Sequence, residues 1–352
     1  MGWEIILSPF AFLYKTGTSF RNHLYNIGHK KSFRFEVFTI GVGNLTVGGT
    51  GKTPMVEYLI RLLKESYNIV TLSRGYGRST KGFILASEHD NATTLGDEPF
   101  QFYHKFKDEV KVAVGEERVL AIPEIINALP KTDLVLLDDI FQHRSVDPHV
   151  NILLCDYNRP FFKDFLLPMG RLRESRKGAQ RADIILVTKC PENLSIEDQN
   201  EFISKIKTYS KQETPIYFSK IKYGQARQIK GPYNEGVEKV ILVSGLASSG
   251  LFENYANSNF EVLNHFKFED HHDYKEVDLK KIHAYLKEQS GEVKILTTEK
   301  DVVKLKNLNL HPYFEESQLL YLPIEFEFNH SGEKFDKSLL DLINTYYKTP
   351  KN

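Results

Sequence analysis

One stretch constrains this chain more than any other: Gly43-Asn44-Leu45-Thr46-Val47-Gly48-Gly49-Thr50-Gly51-Lys52-Thr53-Pro54. It follows an apolar run, Val37 to Val42, that reads as a buried strand. It precedes Met55, Leu59, Ile60, Leu62 and Leu63, which recur at about the helical period. Strand, glycine-rich turn and Gly-Lys-Thr opening a helix form the layout of a phosphate-binding P-loop. The candidate phosphate contacts are therefore Thr46, Val47, Gly48, Gly49, Thr50, Gly51, Lys52, Thr53 and Pro54. Backbone N–H groups and the helix N-terminus would face a polyphosphate, Lys52 would reach its outer phosphates, and the Thr53 hydroxyl would hold Mg²⁺. Thr46 stands where the usual pattern has Gly, but Gly48, Gly49 and Gly51 keep the loop permissive. A chance glycine-rich turn would not explain a Lys-Thr pair at a strand-to-helix junction.

Bulk properties narrow the setting. At 352 residues the chain suits two domains, each able to bury a core. It carries 46 basic and 46 acidic residues, so no global positive field argues for nucleic acid. The two cysteines, Cys155 and Cys190, fit a reducing compartment and are not spaced as a metal site. No apolar run reaches the ~18 residues of a spanning helix. The N-terminal apolar stretch has no small-residue cleavage site after it, so no secretory signal is read.

Ser8-Pro9 reads as an N-cap followed by Pro at the first helical position. Phe10, Leu13, Tyr14, Phe20, Leu24 and Ile27 then recur at helical spacing, with Lys15, Arg21, Lys30, Lys31 and Arg34 among and after them. This helix either packs on the core or lies in a membrane interface, aromatics in lipid and cations at headgroups. A second strand, Asn68 to Leu72, ends in Ser73-Arg74-Gly75-Tyr76-Gly77-Arg78, at the carboxyl edge where open parallel sheets bind ligands. Arg74 and Arg78 there could pair with phosphate or belong to a solvated turn. In Gly96-Asp97-Glu98-Pro99 the acids could cap a helix beginning at Pro99, or Asp97 could serve as a general base. Arg118, after a strand from Val110 to Val114, could reach an anionic substrate or only form helix pairs. Leu134 to Leu137 ends in Asp138-Asp139, the Walker B layout in which a buried strand delivers an Asp to Mg²⁺.

Further strands read at Val150 to Cys155 and at Ile184 to Val187; the latter ends in Thr188-Lys189, a pair expected near the nucleotide base. A polar helix covers 195–211. Alternating runs at 215–223 and 319–328 would pair as a two-stranded bridge between domains, giving boundaries of 1–214 and 215–352. The second series contains strands at Val240 to Val243 and Val293 to Leu296, a loop with Asp270-His271-His272, and a terminal helix over 337–347. Adjacent histidines are not spaced for one helix face, so zinc is not expected. A histidine that tunes a carboxylate suits the loop better.

Together these stretches resemble the tetraacyldisaccharide 4'-kinases, the lipid A 4'-kinases of Gram-negative bacteria. The resemblance is carried by the P-loop, Ser73-Arg74-Gly75-Tyr76-Gly77, Gly96-Asp97-Glu98-Pro99, Asp138-Asp139 with Phe141-Gln142-His143, Leu167-Pro168 through Leu172-Arg173-Glu174, Asp270-His271-His272 and Thr297-Thr298-Glu299-Lys300-Asp301. They run in family order over roughly residues 8 to 305; Ile140, Met169 and Arg171 depart from the family pattern. The resemblance implies an α/β fold of two α/β/α sandwich domains with mostly parallel sheets, a P-loop NTPase-type N-terminal domain and a two-stranded linker. It implies ATP and Mg²⁺ as cofactors, and phosphorylation of the 4'-hydroxyl of tetraacyldisaccharide 1-phosphate to give lipid IVA. By the same resemblance Lys52 and Thr53 match the phosphate and Mg²⁺ positions, and Asp138 and Asp139, with Glu98 beside them, the metal-side acids. Asp97 matches the catalytic base, His271 its partner, and Arg74, Arg118 and Arg173 positions near phosphates. A monomer at the cytoplasmic face of the inner membrane, attached peripherally, is also implied. That favours the interfacial reading of the N-terminal helix. The competing classes are a P-loop GTPase switch, for which Thr188-Lys189-Cys190-Pro191 lacks a guanine-pairing Asp, and a non-catalytic ATP-binding module.

Overall fold

The protein is described by a computed structural model covering residues 2–229, 236, 238–246, 249–270, 272–306 and 308–348, with side chains from residue 7 onward. The chain divides into two compact units, Met1–Ile221 with Phe326–Asn352, and Lys222–Glu325.

The first unit opens with helix α1 (Gly2–Asn26), then β1 (Phe38–Asn44), α2 (Lys52–Leu63), β2 (Ile69–Ser73), β3 (Ile84–Leu85), α3 (Ala92–Leu95) and α4 (Asp97–Phe106). It continues through β4 (Lys111–Val114), α5 (Arg118–Ala128), β5 (Leu134–Asp138), β6 (Val150–Asp156), β7 (Ile184–Thr188), α6 (Ile196–Lys207) and β8 (Ile216–Tyr223). Strands β1, β5, β2, β4, β6, β7 and β8 pair in parallel, and β3 adds an antiparallel edge. Near-continuous apolar runs such as Leu134–Asp138 follow from that topology, because helices cover both faces of a parallel sheet. On one face Phe38, Ile40 and Val42 pack with Met55, Leu59 and Phe102. On the other, Val70, Leu72, Val135 and Leu137 pack with Ile122 and Ile125 of α5.

The second unit comprises β9 (Arg227–Gln228), β10 (Lys239–Ser244), α7 (Gly250–Asn259), β11 (Glu261–Lys267), α8 (Glu276–Lys287), β12 (Val293–Thr298), α9 (Glu299–Leu305) and β13 (Leu319–Leu322). Its sheet runs β11-β10-β12-β13-β9, parallel except for β9. Phe252 and Ala256 of α7 pack on Leu242 and Leu296 on one face; Leu279, Ile282 and Val302 pack on Ile241 and Ile295 on the other. The last elements are β14 (Ile324–Phe328) and α10 (Gly332–Lys348).

Three expectations change. The stretch 319–328 is two strands in two sheets: β13 pairs with β12, and β14 neighbours β8 at the edge of the nine-stranded sheet. Pro323, with no N–H to donate, interrupts the alternation between them. The terminal helix belongs to the first unit, where Phe335, Leu339 and Ile343 enter its core and Tyr58 donates to Asp336 at 2.7 Å. Finally, α1 does not start at Ser8-Pro9 but runs through Pro9, giving up one backbone hydrogen bond.

Candidate active site

The P-loop joins β1 to α2. Gly51 precedes the helix at φ 89°, a conformation that favours glycine, and no side chain caps the helix there. The first-turn N–H groups of α2 are thus left for an anion, with the helix dipole behind them. Behind the loop, the Thr188 hydroxyl donates to the Thr50 carbonyl at 2.8 Å, and the Lys189 ammonium donates to the Gly49 carbonyl. Lys189 is itself paired with Asp156 at 2.7 Å. A peptide plane is rigid and trans, so holding these two carbonyls turns the N–H groups of Thr50 and Gly51 the opposite way. The pair expected near the base therefore shapes the loop, and Asp156, which the sequence reading did not single out, supports it.

The loop's entrance does something else. The Val47 N–H donates to the Arg171 carbonyl at 2.8 Å, and the Arg173 N–H donates to the Leu45 carbonyl at 2.7 Å. Thr46 forms a bridge with Leu172, and its carbonyl accepts from the Asn44 side chain at 2.8 Å. Thr46 and Val47 thus strap the loop to the segment after Leu166. The Val47 N–H is already spent.

Asp138 ends β5 and is only 8% exposed. Burial pushes its carboxyl up to about 6, against the opposing charge of Lys52, while the charges of Asp139 and Glu98 push the same way. Its Oδ2 lies 3.5 Å from the Ser73 hydroxyl, and its Oδ1 has no hydrogen-bond partner. A buried carboxylate oxygen without a partner, close to Lys52 and Glu98, is what a divalent cation would satisfy. Among the described residues no three His, Cys, Asp or Glu side chains form a closed metal cage. Asp139 is different. Burial would raise its carboxyl, but two hydrogen bonds from Arg173, at 2.8 and 2.7 Å, and the nearby Lys52 hold it well below the usual carboxylate range. Lys52 Nζ stands 3.7 Å from Asp139 Oδ1.

The arginines are largely committed. Arg173 grips Asp139 and donates to the Asn44 carbonyl at 3.1 Å. Arg118 is 1% exposed and donates to the carbonyls of Gly115 and Asp138, at 2.7 and 3.2 Å. Burial lowers its guanidinium to about 10. Both brace the segment that carries the acids, Arg173 through the Asp139 side chain and Arg118 through the Asp138 carbonyl. Arg78 pairs with Glu116 at 2.7 Å, whereas Arg74 is exposed at the carboxyl end of β2. Burial, helped by Arg118, lowers His143 to about 4, so it is neutral beside these cations.

Asp97 and Glu98 are the acidic residues of the first turn of α4, and Gly96 is its N-cap residue. Gly96 has φ 92°, and a Cβ there would stand 2.9 Å from the Tyr76 carbonyl. Only glycine lets the start of α4 approach the turn after β2 so closely. Ile140 is accommodated in a similar way, its Cγ2 lying 2.5 Å from where a Cβ on Gly41 would be. Glu174, fully buried, accepts from Arg181 and Gln142 at 2.9 Å each and from Asn22 of α1 at 3.1 Å. Tyr14 of α1 donates to the Arg173 carbonyl at 2.9 Å, so α1 is anchored to the segment that grips Asp139.

In the second unit, His271 lies outside the described residues. His272 is held within its own unit: Nε2 is 3.0 Å from Asp278, and its ring stacks on Phe268 at 4.4 Å. Lys304 donates to its carbonyl at 3.1 Å, and Lys300 pairs with Asp270 at 3.2 Å. A cavity of about 460 Å³ lined by Asn68, Val70, Glu109 and Lys131 contains none of the candidate site residues.

A parallel α/β sheet, a P-loop and a buried acid at the end of the neighbouring strand define a P-loop phosphotransferase. A model of the family described as tetraacyldisaccharide-1-P 4'-kinase matches residues 3–344. The chain is 46% identical over 343 residues to the tetraacyldisaccharide 4'-kinase of Flavobacterium johnsoniae, covering 96% of each chain. It is 39% identical over 351 residues to the one of Phocaeicola vulgatus, covering 96% of this chain and 94% of that one. A crystal structure of LpxK from Aquifex aeolicus, an "apo" form in complex with ATP, superposes with a TM-score of 0.75 at 29% identity, over 97% of this chain and 99% of that one. The chain belongs to the tetraacyldisaccharide 4'-kinase family.

Proposed function

We propose that this chain transfers the γ-phosphoryl group of ATP to the 4'-hydroxyl of a tetraacyldisaccharide 1-phosphate, giving lipid IVA. The observation that carries the chemistry is the uncapped N-terminus of α2 together with the unpartnered Oδ1 of the buried Asp138. The acceptor follows from the family and from the names of its members. Thr53 and Asp138 would hold Mg²⁺, with Glu98 and Asp139 contributing negative charge around it. Bound there, Mg²⁺ would offset charge on the phosphate oxygens. Lys52 neutralises outer-phosphate charge, and the N–H groups of Thr50 and Gly51 line the cradle. Arg74 supplies a further cation. Asp97 accepts the proton of the sugar hydroxyl, which is a poor nucleophile until that proton has a destination. His271 is proposed to orient Asp97.

We further propose peripheral attachment through α1 to the membrane face where ATP is available, the cytoplasmic one. Among the described residues no helix is long and apolar enough to cross a membrane. Phe10, Phe12, Leu13, Phe20 and Ile27 are 59%, 67%, 66%, 62% and 59% exposed, an apolar surface that a core helix would not leave in water.

The test is radiolabelled phosphoryl transfer to the lipid disaccharide, with Mg·ATP binding measured separately. Lys52→Ala should lose ~10²-fold or more in kcat, as expected for one electrostatic contact to the transition state. Asp97→Ala should lose most turnover while binding Mg·ATP normally. Normal turnover in Lys52→Ala rejects the P-loop assignment. An Asp97→Ala enzyme with intact kcat and weak Mg·ATP binding moves Asp97 to the metal site.

A further inference from the structure

One turn below the N-termini of α2 and α4, a buried carboxylate joins the two helices. Glu57 is 1% exposed. Its Oε1 accepts from Gln101 Nε2 at 2.9 Å; its Oε2 accepts from Lys105 Nζ at 2.7 Å and from Arg61 at 3.0 Å. Arg61 in turn lies over the Phe106 ring, 5.5 Å from its centre. On α2, Thr53, Glu57 and Arg61 recur every four residues; on α4, Asp97, Gln101 and Lys105 do the same. That spacing puts each trio on one helix face. Glu57 meeting Gln101, and Arg61 meeting Phe106, show the helices running side by side in the same direction. The next rung toward their N-termini is Thr53 and Asp97, the candidate Mg²⁺ ligand and the candidate base.

Burying a carboxylate is unfavourable unless its oxygens are bonded and its charge is met. Apolar contact alone would join these helices, as Met55, Leu59 and Phe102 already do in the same core. Apolar contact tolerates sliding along the helix axes; three charge-assisted hydrogen bonds on one carboxylate do not. We propose that Glu57 is a positioning residue that fixes the register of α4 on α2, and so the placement of Asp97 relative to the phosphate-binding end of α2. The inference rests on Asp97 acting as the base.

A double-mutant cycle on the full-length enzyme tests it, with radiolabelled transfer and equilibrium Mg·ATP binding as readouts. Glu57→Leu should lower kcat about 10²-fold, the effect of a misplacement of about 1 Å. Mg·ATP affinity should change much less than kcat, because Lys52, Thr53 and Asp138 do not lie on α4 and only the surrounding charge of Glu98 moves with it. In the Asp97→Ala background the same substitution should cost nothing further, since its effect passes through the missing carboxylate. Glu57→Gln keeps the volume and a bond to Gln101, and should show a smaller loss with the same pattern. It carries the cycle if Glu57→Leu does not melt cooperatively. A multiplicative loss on top of Asp97→Ala overturns the proposal, as does a loss of Mg·ATP affinity that accounts for the fall in kcat. Normal kcat in both folded Glu57 variants does so too. Normal turnover in Asp97→Ala alone would instead remove the base assignment on which the inference stands.

Discussion

At the scale of single residues, the loop works because its peptide planes are held from behind. Lys189 has φ 58°, which brings its ammonium over both Asp156 and the Gly49 carbonyl. Lys189→Met keeps the stem and removes the charge. It frees the Gly49–Thr50 plane and leaves the Asp156 carboxylate unpaired near incoming phosphates. A charge-assisted bond of this kind contributes roughly 1.5–3 kcal/mol, so KM for ATP should rise about tenfold or more. The kcat at saturating ATP should fall much less, because Lys52 and Asp97 are untouched. Steady-state kinetics decide it: a fall in kcat with KM unchanged would give Lys189 a part in the chemistry instead. This residue also marks the limit of reading the sequence. Gly48-Gly49-Thr50-Gly51-Lys52-Thr53 and Leu134-Val135-Leu136-Leu137-Asp138 are local strings whose spacing carries their meaning. Lys189 acts on a carbonyl 140 residues away, and Arg118 and Arg173 on groups 20 and 34 residues away. Composition and spacing name such residues as basic; only the fold says whether their charge meets a ligand or a neighbour.

At the scale of elements, the strands under the site were legible because a strand covered on both faces must be apolar throughout. Helix starts were less so. Ser8-Pro9 carries the chemistry of a start, yet α1 continues through it because the residues before it also accept helical geometry. What α1 does follows from its surface. Ala11 is buried and Tyr14 and Asn22 tie it down, while Phe10, Phe12, Leu13 and Phe20 are exposed. Replacing Phe10, Leu13 and Phe20 by Ser should therefore leave thermal stability nearly unchanged, since surface substitutions usually shift it by less than about 0.5 kcal/mol. Burying such a side chain in lipid is worth roughly 1.5–3 kcal/mol, so the same triple variant should move from sedimenting with anionic phospholipid vesicles to the supernatant. A folded variant that still sediments would place the attachment elsewhere. A variant that unfolds would restore the core-helix reading that the exposure of these residues argues against.

At the scale of the whole molecule, the chain leaves its first unit and comes back to finish it. Residues 326–352 complete the unit that residues 1–221 begin. A linear reading that assigns everything after 214 to a second domain misses this, because nothing local to α10 says which core its apolar stripe will meet. Phe335, Leu339 and Ile343 repeat every four residues and join the cluster that contains Phe38, Ile40 and Leu59. Tyr346 donates to the Glu36 carbonyl, and Tyr347 donates to the Asp133 carbonyl at 2.6 Å. The P-loop strand and helix therefore depend on the far end of the chain. A chain ending at residue 214 should lack a cooperative urea transition, since it loses β8, β14 and α10 and exposes one face of that core. Residues 1–221 joined to 326–348 through an Asn-Gly turn should unfold cooperatively and still bind Mg·ATP. The join is short because Ile221 and Phe326 lie on neighbouring strands, and the Asn329 N–H donates to the Phe218 carbonyl at 2.9 Å. Within the full chain, Phe335→Ala should lower the stability of this unit by about 3–5 kcal/mol, the usual effect of emptying a buried aromatic site. Urea unfolding followed through Mg·ATP binding measures all three. A 214-residue chain with the same midpoint as the joined version would show that α10 packs on a core already complete without it.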